Sequence, residues 1–203
     1  MPGVQQNSSD KVYLRVVGGN IVQKVNPGTD GARLRQYELP NGTKGEKWEN
    51  VFMSWEGKIK SIVFKENDYG EDCIIELGDA YLALAVDGRY FSDFASKVFS
   101  GDIAKAFLFH PYDMEGDNGK KKSGISLQQE GEKLKNYFYD GKENLHGFPV
   151  PKEGEKTKNY WKIFFAEVSE FLKGKIEELK FDDTVEKEEV YPNDDNDLPF
   201  LYA

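Results

Sequence analysis

The chain has 203 residues, 38% apolar and 14% aromatic, which suits one main domain with appendages and is enough to bury a core. No run of 18 apolar residues occurs, and the start, MPGVQQNSSD, lacks the basic and apolar stretches of a secretory signal, so the expected location is cytoplasmic with no membrane contact. One cysteine, Cys73, excludes an internal disulfide and a cysteine-held zinc, while the formal charge of −9 argues against a nucleic-acid partner only if it is evenly spread.

Residues 1–10 read as a flexible N-terminus and residues 11–180 as the folded domain. From Lys11 to about Val86, short runs of Val, Ile, Tyr, Phe and Trp alternate with VGGN, NPGTDG, LPNGTKG, WEGK and ENDYGED, which is the punctuation of strands joined by turns. Successive residues of a strand face opposite ways. In KVYLRVV this sets Lys11, Tyr13 and Arg15 against Val12, Leu14 and Val16, and in RLRQYEL it groups Arg33, Arg35 and Tyr37. Trp48, Phe52 and Phe64 read as core, whereas Trp55 falls at an apparent turn, SWEGK, as a ring at a loop tip near Lys58 and Lys60.

GRYFSDFASKVFSGD places Phe91, Phe94, Ala95, Val98 and Phe99 at helical spacing before Gly101, so a short helix inserted between strands is predicted. IAKAFLFH and two strands around GISLQQEGEKLKNYFYDG follow, preceded by a mobile loop, DMEGDNGKKKSG, whose Lys120, Lys121 and Lys122 form a basic finger. In KLKNYFYD, Lys133, Lys135, Tyr137 and Tyr139 would share a strand face. A long amphipathic helix is then predicted, with Trp161, Phe164, Phe165, Val168, Phe171 or Leu172, Ile176 and Leu179 as the stripe that docks on the sheet. The whole is mainly β, an OB-fold-like Greek-key barrel with one inserted helix and one long C-terminal helix; a β-sandwich is the competing architecture.

The acids are concentrated at the end. Residues 181–203 carry Asp182, Asp183, Glu186, Glu188, Glu189, Asp194, Asp195 and Asp197 against Lys187 alone, so this stretch contributes −7 and residues 1–180 only −2. Residues 1–65 hold ten Lys or Arg and six acids. A disordered acidic tail behind a mildly basic front is the expected organisation.

No nucleotide-binding, hydrolase or zinc-protease motif occurs, and His110 and His146 stand apart without a partner motif. Asp68, Glu71, Asp72, Glu76 and Asp79 match no metal-ligand spacing, so neither catalysis nor a cofactor nor a metal is expected. Cations beside aromatic rings on repeated strand faces suit an unpaired nucleic-acid strand instead, because Lys and Arg neutralise phosphates while rings stack on bases.

The basic and aromatic strand faces and the ending NDDNDLPF together resemble the single-stranded DNA-binding proteins of bacteria and tailed phages. Asp194, Asp195, Asp197, Leu198, Pro199 and Phe200 are similar in type to the acidic, apolar, proline and phenylalanine tip of the bacterial form, although Leu201, Tyr202 and Ala203 follow here. The resemblance, closest to the phage type, implies a non-catalytic OB-fold protein that coats single-stranded DNA in replication and recombination. It also implies a tail that competes with DNA for the groove and recruits replication or recombination proteins through its tip. A phage structural or assembly protein with no nucleic-acid binding is the alternative expectation. The oligomeric state stays open between a monomer and a homo-oligomer.

Overall fold

The β-branched and aromatic runs between residues 12 and 85 form seven strands: β1 (Val12–Val17), β2 (Asn20–Val25), β3 (Arg33–Glu38), β4 (Lys44–Phe52), β5 (Trp55–Asn67), β6 (Gly70–Leu77) and β7 (Ala80–Ala85). Helix α1 (Arg89–Lys97) follows and tightens into a 3-10 turn over Val98–Ser100. Strands β8 (Ala106–Glu115), β9 (Lys121–Gln129) and β10 (Glu132–Lys133) and helix α2 (Lys158–Glu177) complete the order. This is a computed structural model that describes residues 11–38, 42–116, 119–154 and 157–181. No helix among these residues is long and apolar enough to cross a membrane.

The fold is mainly β. Its strands lie in the order β10-β9-β8-β5-β6-β7-β1-β2-β4-β3, and every neighbouring pair is antiparallel except β1 with β7. The thirteen-residue β5 links two groups of strands: Trp55 to Lys58 pair with β8, and Ile59 to Asn67 pair with β6, with a register shift between Ile59 and Ser61. A bulge of this kind bends a strand, which is how one strand serves both groups. The β1–β2 turn is Gly18-Gly19, both at positive φ, the conformation a two-residue hairpin turn demands. Gly19 also donates its N–H to the Tyr90 hydroxyl at 3.0 Å and lies against the Asp113 backbone, leaving no room for a side chain.

Alternation sorts each strand into an inner and an outer set. Leu14, Ile21, Ile59, Cys73, Ile75, Leu77, Leu82, Leu84, Phe107, Phe109, Ile125 and Leu127 form the inner set, all at most 2% exposed, with Phe91 and Phe94 of α1 and Leu172 and Ile176 of α2 packed on them. Burial pushes the Cys73 thiol far above its ordinary value, so this cysteine is an unreactive apolar filler. Helix α1 runs along the free side of β9: Asp93 accepts from the Ile125 N–H at 2.8 Å and Lys97 donates to the Ile125 carbonyl at 2.7 Å. Side chains thereby take the place of a neighbouring strand and close an edge that would otherwise recruit one.

Helix α2 begins at a capping Thr157, whose hydroxyl accepts from the Tyr160 N–H at 3.2 Å. The apolar stripe read along residues 161–179 divides. Val168, Leu172 and Ile176 are buried, and Lys173 anchors the same half to Glu71 at 2.6 Å. In the first half no residue is buried: Phe164 packs half-buried against the core, while Phe165, 60% exposed, is no core residue.

Two local expectations need correction. The strand expected over KLKNYFYD stops after Lys133; the Tyr137 N–H donates to the Ser96 carbonyl, and Phe138, 1% exposed, turns into a cluster with Phe99, Phe148 and Phe171. Burial of that ring outweighs continuation of the ladder. The basic loop is also shorter than expected, because Lys121 and Lys122 already pair with Glu115 and Met114 in the β8–β9 ladder.

Candidate nucleic-acid interface

Strand pairing decides which outward residues stand together. Tyr13 pairs with Tyr81, Glu76 with Tyr81 and with Ser61, and Asp72 with Lys65, so the outer faces of β1, β7, β6 and β5 are continuous. On the other side Arg15 pairs with Val22, Lys24 with Glu49, and Glu49, Lys47 and Gly45 with Arg33, Arg35 and Tyr37. One sheet face therefore carries Lys11, Tyr13 and Arg15 together with Arg33, Arg35 and Tyr37, although the two groups come from strands separated by β2 and β4. Both helices pack on the opposite face.

The same face gathers Lys24, Lys47, Lys65 and Tyr81, which strand-by-strand reading did not single out. Val22, Ile74 and Ala83 form a buried apolar floor between the longer side chains. Seven cations (Lys11, Arg15, Lys24, Arg33, Arg35, Lys47 and Lys65) meet the carboxylates Glu49, Asp72 and Glu76 there, with Asp87 near enough to act on Asp72, so the face is basic although the protein is acidic.

The carboxylates hold their neighbours in place. Lys11 donates to Glu76 at 2.7 Å and to the Tyr81 hydroxyl at 3.0 Å, and lies 4.8 Å from the Tyr81 ring centre. Arg35 grips Glu49 with two bonds, 2.8 and 2.6 Å, while Arg35 and Lys47 stand 5.7 and 5.6 Å from the Tyr37 ring. Such a fork fixes guanidinium and ring together. Arg15 reaches Asp72 at 3.4 Å. Burial raises the Asp72 carboxyl above its ordinary value against the pull of Arg15 and Asn67. Burial also works to raise Glu76, but hydrogen bonds from Lys11 and Ser61 and the charges of Lys11 and Lys60 outweigh it and hold this carboxyl below its ordinary value. The hydrogen bond to Glu76 raises Lys11 against the opposing effect of burial.

The remaining candidates divide. Lys58 and Lys60 are exposed on β5, and Lys60 is close enough to act on Glu76. Trp55 is not a loop-tip ring: it opens β5, pairs with Phe109 and packs edge-on against Phe52 at 5.2 Å, because Trp55, Gly57 and Ile59 all point inward. Lys120, Lys121 and Lys122 are exposed at the β8–β9 turn. Lys133, Lys135 and Tyr139 are exposed but share no strand face, and Tyr137 is stacked on His146 at 4.0 Å with Phe99 on another side. Tyr69, 53% exposed at the β5–β6 turn, is a ring that the sequence reading passed over. Asp194, Asp195, Asp197, Leu198, Pro199 and Phe200 lie outside the described residues.

Of the acids considered for metal-dependent chemistry, Asp72 and Glu76 are engaged by Arg15 and Lys11, and Glu71 by Lys173. Among the described residues no group of three or more His, Cys, Asp or Glu side chains converges as a metal site. The chain matches no family model, no curated protein and no solved structure.

Proposed function

We propose that this protein binds single-stranded DNA without catalysis, through the helix-free sheet face, in phage DNA replication and recombination. The observation that supports this most is the merging of Lys11, Tyr13 and Arg15 with Arg33, Arg35 and Tyr37 on one basic face over an apolar floor. Cations flanking such a floor match a strand whose phosphates run along the rim while its bases turn inward. The order meander β5-β6-β7, helix α1, hairpin β8-β9, with β5 shared between β6 and β8, is that of an OB-type Greek-key barrel, and it supports that finer fold reading. Here β1 lies on β7, and α1 lies on β9, where such a barrel would close on itself. In this reading the β5–β6 and β8–β9 turns flank the groove and bring Tyr69 and Lys120, Lys121 and Lys122 to its ends.

The acidic stretch 182–203 acts as a competing polyanion that DNA displaces, freeing the tip to recruit replication or recombination proteins. One observation favours the alternative of an assembly or interaction protein: Lys11, Arg15 and Arg35 on the face already contact carboxylates. A gel shift comparing single-stranded DNA, double-stranded DNA and RNA decides. Salt-sensitive binding of oligo-dT with quenched fluorescence supports the proposal, and no binding at low salt refutes it.

A further inference from the structure

The first half of α2 presents an unusual surface. Trp161 and Phe165, one turn apart, stack at 5.8 Å, and Tyr160 and Phe164 stand parallel at 6.3 Å, yet Phe165 is 60% exposed. Lys158 and Lys162 rise one turn apart beside the Trp161–Phe165 pair, since residues three and four apart are helix neighbours. Neither lysine has an ion-pair partner among the described residues. A ladder of two cations therefore runs alongside a ladder of two rings, with a rung spacing of about 5.4 Å.

We infer that the occupant of this surface is the tip of the same chain, with Asp195 and Asp197 on the lysine ladder and Leu198 and Phe200 on the ring ladder. The tip offers two acids for the two lysines and two apolar side chains for the two rings. The tip holds these residue types in that order, acids first and then Leu198, Pro199 and Phe200. Reach permits it: the chain leaves the described body at Phe181, just past the far end of α2, and the patch lies roughly 22 Å back along the axis. Residues 182–197 extended span about 50 Å. The positive end of the helix dipole adds to the attraction for carboxylates. The consequence is a parking site that hides the tip while it is occupied.

This inference does not depend on DNA binding, and its test contains no DNA. Amide hydrogen exchange is followed in the full chain for peptides spanning 158–167, with those spanning 168–177 as the internal control. Phe200→Ala and, separately, Lys158→Glu with Lys162→Glu should each speed exchange in 158–167 at least about tenfold, with the control unchanged, because a helix end that loses its packing frays. Unchanged exchange in both variants overturns the inference. So does wild-type protection that disappears on tenfold dilution, since that would place another copy's tip on the helix.

Discussion

Tyr37 shows how much one position can decide. It is an outward ring on β3, and its cross-strand partner is Gly45, where a Cβ would run into the ring itself. Glycine on β4 therefore lets the ring lie flat across the neighbouring strand, between Arg35 and Lys47. Gly45→Ala should push the ring off without disturbing the core, since only a side-chain end has to move. The expected outcome is an unchanged denaturation midpoint and weaker oligo-dT binding, by about 1–3 kcal/mol if Tyr37 stacks on a base. Titration of the variant against wild type, with urea melts of both, checks it.

Glu76 and Lys11 give a second residue-scale expectation, with its sign set by opposite shifts. Glu76 is held below its ordinary 4.5, so its contribution to stability is present above pH 4.5 and is lost as pH falls through the lower folded value. Lys11 is raised above 10.5, so its contribution is present below that pH and is lost as pH rises past the folded value. Glu76→Gln should therefore cost stability between about pH 4.5 and 10.5, and the gap from wild type should close toward pH 3. Urea midpoints at pH 3, 7 and 9 measure it; a gap that widens in acid would contradict the assignment. Asp72 works the other way: its raised carboxyl binds a proton more readily in the folded state and so slightly favours folding as pH falls.

At the scale of elements, α1 was legible because its apolar positions follow one helical face, and Phe91, Phe94 and Ala95 are buried there with Val98 just past its end. The β character of residues 12–85 was equally open to reading, since β-branched and aromatic runs between glycine-rich turns leave few alternatives. Periodicity could not tell where an element outruns its partner. Trp161 to Phe165 have the helical spacing of a core stripe, yet the buried residues begin at Val168, Phe164 is only half-buried against the core, and Phe165 is exposed. Leu172→Ala, at 0% exposure, should cost about 2–5 kcal/mol, whereas Ile163→Ala, at 61% exposure, should fall within about 0.5 kcal/mol of wild type. Equal costs in chemical denaturation would mean that the first half is as deeply packed as the second.

The candidate face was legible only in part, for a related reason. Alternation within a strand gave Lys11, Tyr13 and Arg15 as one group and Arg33, Arg35 and Tyr37 as another, but non-local pairing decides whether two groups are neighbours. That pairing also brought in Lys24, Lys47 and Lys65, which no single strand marks out. Tyr137 failed as a strand-face residue because tertiary packing of Phe138 drew its segment off the sheet.

For the whole molecule, the opposition between an acidic chain and one basic face makes salt the decisive variable. Net charge alone would predict repulsion of DNA, yet cations outnumber carboxylates on this one face. If about four of the face's cations neutralise phosphates, the logarithm of affinity for oligo-dT should fall against the logarithm of salt with a slope of about −3. Replacing Lys24 and Arg33 together by alanine should make the slope shallower by about 1.4, since each lost phosphate contact removes roughly 0.7. Ending the chain at Phe181 should tighten binding at low salt by removing eight competing acids, and this gain should shrink as salt rises and screens the tail. A slope unaffected by Lys24→Ala with Arg33→Ala would move the strand to another surface, whereas a truncated chain that binds no better would remove the tail from the competition while leaving the face in place.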